Sequence, residues 1–275
     1  MMFPKHFRAA VIGIVAAFFA AAASARAIVL DWSALTWTPG SLTNSYDIDP
    51  NNPGHDITIT ISGNVSALGN DTLTGDPTPD ISTFKEGGQS SPIQPSLAFL
   101  VDFANKNQAI TVTIDFNYQN GVDTVSYYIF DIDVGNASGS KYTYVDQIRS
   151  IWGQRLDGAI MGATTLTNGP AVTLAGSGTN RTATANTRTV PDSGSGSGAG
   201  NLYVSYGTNV VNSIQFTYGS GANAQNNPAT QAISLFNIEY RVVPEMNALY
   251  GTSAVVLATL AALTWRRRRR QSSFS

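Results

Sequence analysis

Ile110-Thr111-Val112-Thr113-Ile114-Asp115-Phe116 decides the fold. Apolar residues at 110, 112, 114 and 116 alternate with polar ones at 111, 113 and 115, and a period of two places one set on a buried face and the other on a wet face. That is a strand at the surface of a core. Working outward, similar short runs rich in β-branched and aromatic residues occur at Ile57–Ile61, Leu97–Phe103, Val122–Val134, Gln147–Trp152, Ala159–Thr165, Thr182–Thr189, Leu202–Tyr206, Val211–Tyr218 and Ile233–Arg241. Clusters of Gly, Pro, Asn and Asp separate them. Helical periodicity of useful length is missing and no internal repeat has a fixed period, so residues 28–242 read as one all-β domain, an antiparallel β-sandwich of jelly-roll type.

Turn chemistry adds pairings to this reading. Gln119-Asn120-Gly121 offers residues that accept positive φ, which predicts a hairpin joining the 110–117 strand to the 122–134 strand as antiparallel neighbours. Asp192 to Gly200, alternating Ser and Gly, reads as a flexible loop, and 219–230 as a second loose segment.

Composition narrows the function. The chain has 275 residues, no cysteine and only 12% charged residues. Disulfides, thiol catalysis and thiolate metal sites are excluded. Residues 28–243 hold 17 acids against 8 bases, whereas the two ends are basic. Such an acidic body has no surface for neutralising phosphates, so nucleic acid is not a partner.

The ends carry their own signals. A short basic region, Lys5 to Arg8, precedes the apolar run Ala9 to Ala23 and then Ala25-Arg26-Ala27. Small residues at the −3 and −1 places fit a signal peptidase, so residues 1–27 are expected to be a signal peptide cleaved after Ala27. At the other end Val243-Pro244-Glu245-Met246 is followed by the apolar stretch Ala248 to Trp265 and by Arg266, Arg267, Arg268, Arg269 and Arg270. An apolar helix over 248–265, at ~1.5 Å per residue, reaches about 27 Å, close to the ~30 Å hydrocarbon core of a membrane. The arginines are too costly to translocate and hold the tail in the cytoplasm, leaving the body outside.

The segment 243–270 resembles the PEP-CTERM sorting signal, in which a Pro-Glu-Pro motif precedes a membrane span and a terminal arginine cluster; Met246 stands here in place of the second proline. The resemblance implies recognition by an exosortase-type processing enzyme around Val243, Pro244 and Glu245. It also implies membrane anchoring before processing, then delivery to the cell envelope, outer surface or exopolysaccharide matrix. Val125 to Asp133, Tyr144 to Ile148 and the closing strand also look like the β-sandwich modules that precede such anchors. Those modules imply an architecture and a location, with no defined activity.

Chemistry-bearing constellations are few in the body. His55 is its one histidine and sits in the polar loop Asn51-Asn52-Pro53-Gly54-His55, with no Gly-x-Ser-x-Gly elbow nearby. Glu86 and Glu239 are its only glutamates. The chain is read as non-enzymatic, with a structural or adhesive role; the alternative is a carbohydrate-binding module with a calcium-stabilised loop. Calcium takes about six to eight oxygens. Asp131 and Asp133, placed on one strand face before the loop Gly135 to Gly139, and Asp146 beyond it, are the candidate ligands. The same aspartates equally suit capping of strand ends. Asp47, Asp49 and Asp56 form a weaker second group. For sugar stacking the available rings are Trp32, Trp37, Trp152, Tyr118, Tyr142 and Tyr144.

Overall fold

The computed structural model describes residues 27–89, 91–186 and 196–244. The expected signal peptide before Ala27, Glu245, the apolar stretch 248–265 and Arg266 to Arg270 lie outside the described residues. No helix among the described residues is long and apolar enough to cross a membrane.

Alternation becomes structure as the sequence predicts. Strand β1 is Ala27–Leu30, β2 Thr43–Tyr46, β3 Ile57–Gly63, β4 Asp80–Ser82, β5 Ser96–Val101, β6 Ala109–Phe116, β7 Val122–Phe130, β8 Ala137–Ser138 and β9 Lys141–Tyr142. There follow β10 Asp146–Gln154, β11 Ile160–Gly162, β12 Thr165–Asn168, β13 Val172–Ala175, β14 Thr182–Ala185, β15 Leu202–Ser205, β16 Ser213–Ser220 and β17 Gln231–Val242. Every strand pair is antiparallel. One sheet runs β12-β15-β7-β17-β5-β4, with β1 also on β17; the other runs β13-β14-β10-β16-β6-β3-β2, with β11 on β10; β8 and β9 form a small ribbon.

In β6 the residues Ile110, Val112, Ile114 and Phe116 are buried while Ala109, Thr111, Thr113 and Asp115 are not. Its neighbours β3 and β16 supply matching apolar positions, with Ile114 registered between Ile59 and Ile214. The two large sheets face each other across this layer. Tyr127 of β7 stacks on Phe216 of β16 at 6.1 Å, Phe116 of β6 meets Tyr240 of β17 at 5.2 Å, and the Tyr118 and Tyr240 hydroxyls share a buried hydrogen bond of 2.9 Å. The two ring contacts join one sheet to the other, and the hydrogen bond ties the turn after β6 to β17.

The expected hairpin is overturned. The turn itself forms, since Gly121 N–H donates to Tyr118 O at 2.9 Å and Gly121 has φ +69°. However, β6 pairs with β3 and β16, whereas β7 pairs with β15 and β17 in the opposite sheet. The link is an arch between layers. Both strands must bury their apolar faces, and Tyr118, buried at the turn and bonded to Tyr240, draws the chain across the core instead of back along its own sheet.

Other boundaries also shift. The expected 122–134 strand stops at Phe130 because Asp131 has φ +65°, a left-handed conformation that leaves the ladder. The 159–165 run divides into β11 and β12, which lie in different sheets. The loose segment expected over 219–230 is partly ordered: Ser220 ends β16 buried, and Ala224 is buried too. In the Gly-Ser-rich loop, 192–195 are outside the described residues, but Gly198–Gly200 forms a 3-10 turn with Gly200 buried. At the N-terminal end Ala27, the residue before the expected cleavage, pairs with Arg241 of β17.

Candidate functional site

The three aspartates singled out from the sequence come together at the end of β7. After Phe130 the chain turns left-handed at Asp131, and the segment from Asp133 then runs antiparallel to the start of β10. Asp146 N–H donates to Asp133 O at 2.9 Å and Asp133 N–H donates back to the Asp146 Oδ2 at 3.1 Å. Tyr144 Oη donates to Asp133 Oδ1 at 3.0 Å, and Tyr218 Oη, from the middle of β16, donates to Asp146 Oδ1 at 2.7 Å. Exposure is 2% for Asp131, 2% for Asp133 and 0% for Asp146. Carboxylates are this deeply buried only when something compensates them.

The compensating group is Lys85. Its ammonium pairs with Asp131 Oδ2, and its side chain is 15% exposed. The residue is held from both sides. The Lys85 carbonyl accepts from Ser96 Oγ at 3.2 Å and Ser234 Oγ at 3.0 Å, while Nζ lies 4.5 Å from the centre of the Phe84 ring. The loop carrying Lys85 then covers Phe130. Gly87 has φ +62°, and a Cβ there would stand 2.4 Å from the Phe130 ring, so only glycine lets the loop lie this close. Asn201 Nδ2 donates to the Gly87 carbonyl at 2.9 Å, and Ile132 N–H donates to Gly200 O at 2.9 Å, so the glycine-rich turn closes the same cluster.

Charge and burial oppose each other here. Complete burial pushes the Asp146 carboxyl well above the usual range, and the charges of Asp133 and Asp131 push it further; hydrogen bonds from Tyr218 and the Asp133 backbone pull back. Burial lowers the Lys85 pKa, but the charges of Asp131, Asp133 and Asp146 more than reverse this, so it lies above the ordinary lysine value. The arrangement is one ammonium among three carboxyl groups, with burial working against the charge of Asp146.

Among the described residues no group of three or more His, Cys, Asp or Glu side chains is placed to hold one metal ion. The positive charge at Asp131 is the lysine. Calcium therefore does not fit this donor set as it stands; the three aspartates gather around a lysine. Asp56, of the second group, is wholly buried and accepts from Ile48 N–H at 2.6 Å, Asp49 N–H at 2.5 Å and Asn52 Nδ2 at 2.7 Å. It organises its own loop. His55 beside it is exposed.

A second carboxylate pair escaped the sequence reading. Asp71 Oδ1 accepts from Leu73 N–H at 2.6 Å, and Ser82 Oγ donates to Asp71 Oδ2 at 2.5 Å. Thr74 Oγ1 donates to Asp80 Oδ2 at 3.1 Å, while Asp80 Oδ1 is buried and meets no hydrogen-bond donor. Burial, then the charge of Asp71, pushes Asp80 up to about 6.

Aromatic residues were also redistributed. Trp32, Trp37 and Tyr118 are core. The exposed ring is instead Tyr128, 40% exposed, which meets half-buried Tyr203 at 4.9 Å with the two planes tilted by 46°, on the outer side of the sheet whose inner side carries Tyr127. A groove of about 320 Å³ near Thr164, Leu174 and Arg181 has no aromatic lining.

By fold the chain is an all-β protein of paired antiparallel sheets, and its site is a buried lysine-aspartate cluster. No protein-family model matches it, and no curated protein is significantly similar to it.

Proposed function

We propose that this chain is an exported cell-surface or exopolysaccharide-matrix protein, sorted by an exosortase-type enzyme and serving a structural or adhesive role without catalysis. The observation that carries the reading is the tail: Val243-Pro244-Glu245, an apolar stretch of spanning length and Arg266 to Arg270. The basic and apolar N-terminus, the acidic body and the absence of cysteine agree with it. The pairing of Ala27 with Arg241 gives further support, because both signals then adjoin the same end of one sheet. A jelly-roll type of sandwich is supported by the arch that carries β6 into β7 across the two layers.

Expression of the full chain in a bacterium that makes an exosortase tests the reading. The mature protein should be found in the envelope or matrix with a new C-terminus near Glu245, identified by mass spectrometry. An intact tail on the mature surface protein overturns the processing step, and retention in the cytoplasm overturns export.

One observation favours a second reading, carbohydrate binding: exposed Tyr128, supported by half-buried Tyr203, offers a ring on which a sugar stacks. Retention on an insoluble polysaccharide, lost in Tyr128→Ala, supports it. Equal retention of both proteins removes it.

A further inference from the structure

We infer that Lys85 and Asp131 become joined by an intramolecular amide between Nζ and Cγ, formed by the folded chain itself. This goes beyond the proposed sorting and does not depend on it. The nucleophile and the electrophile are already in contact, because Lys85 Nζ is seated against Asp131 Oδ2. They are also held there. The Lys85 backbone is tied by Ser96 and Ser234, the covering loop is closed on Phe130 and Asn201, and Asp131 is fixed by its left-handed turn at the end of β7. Groups positioned in this way react with effective molarities of about 10⁵–10⁸ M.

Burial supplies the driving force. In water an amine and a carboxylic acid remain ions, and ionisation opposes condensation. Asp131 is 2% exposed and its neighbours Asp133 and Asp146 no more than 2%, so the charged forms lose most of their hydration. An amide removes both charges and leaves a neutral group that tolerates burial. The chemistry balances without an oxidant or a co-reactant. A proton passes from the Lys85 ammonium to the Asp131 carboxylate, and the freed nitrogen lone pair adds to Cγ. A second nitrogen proton then moves to the departing oxygen, the C–O bond breaks, and one water leaves. The two groups meet only when the sheet and the covering loop are in place, so the bond forms after folding.

The bond would tie the loop after β4 to the end of β7. These segments are 46 residues apart, in a protein with no cysteine to cross-link them.

Peptide mapping of the purified full chain decides the matter without any variant. Trypsin does not cut after an acylated lysine, so residues 27–106 should be released joined to 107–141, lighter than the two together by one water. In Lys85→Arg and Asp131→Ala, 107–141 should be released unjoined and with its full encoded mass or that of its substitution. Recovery from the native wild-type protein of a free peptide ending at Lys85, with 107–141 unlinked and carrying no water loss, overturns the inference.

Discussion

Asp80 illustrates what one buried side chain does to stability. Its carboxyl keeps a proton until about pH 6 in the folded chain, against an ordinary value of 3.8. Between these values the folded state binds more protons than the unfolded one, so stability falls as pH rises through that window, and the whole penalty is present above it. Asp80→Asn removes the charge while its amide oxygen still accepts from Thr74. The variant is expected to be more stable at pH 7 by about 1–3 kcal/mol and to lose the slope between pH 4 and 6. Urea unfolding at both ends of the window checks this, and a less stable variant at pH 7 contradicts it. The Lys85 cluster teaches a related lesson about legibility. Asp131, Asp133 and Asp146 were visible as acids gathered around a short glycine-containing loop, but Lys85 in Thr83-Phe84-Lys85-Glu86-Gly87 reads locally as a surface charge. Its burial depends on Ser96, Ser234 and Phe130, which are distant in the chain.

Elements were legible in proportion to how strictly they alternate. β6 was read almost to the residue, because each inward position meets an apolar partner on β3 or β16. Ile114→Ala should therefore cost about 2–5 kcal/mol, while Thr113→Ala, on the wet face, costs less than about 1 kcal/mol. Similar losses in chemical denaturation would show that the two faces are not distinct. Short strands such as β2 and β4 went unread because their pairing is imposed by the longer neighbours β3 and β5. The arch after β6 adds a second measurement. Gly121 has φ +69°, and a Cβ there would lie 2.7 Å from the Val211 carbonyl. Gly121→Ala is expected to lose about 1–3 kcal/mol, through both conformation and contact. An unchanged denaturation midpoint would mean that the crossing does not need this geometry.

Among the described residues, two acids of the body are met by basic side chains of the same chain. The acidic body of 17 acids and 8 bases pairs Arg241 with Asp123 at 2.7 and 2.8 Å and Lys85 with Asp131. Thermal unfolding in calcium and in chelator should give the same midpoint. A clear rise with calcium would show that the aspartates take a metal in preference to the lysine. The long strand β17 unifies the architecture, since it pairs with β7 along one edge and with β5 and then β1 along the other.

The sequence by itself determined the class of backbone, and the proposed address rests on it alone. A period of two leaves a strand as the one way to put Ile110, Val112, Ile114 and Phe116 on a single face, and five arginines after an apolar stretch are a signal that needs no fold to be read. Tertiary structure alone decided which strands are neighbours and which charges meet. Local turn chemistry at Gly121 is compatible with a hairpin or an arch, and burial of Tyr118 against Tyr240 selects the arch. Likewise, a lysine and an aspartate 46 residues apart come together only when a sheet, a covering loop and a glycine-rich turn close over them.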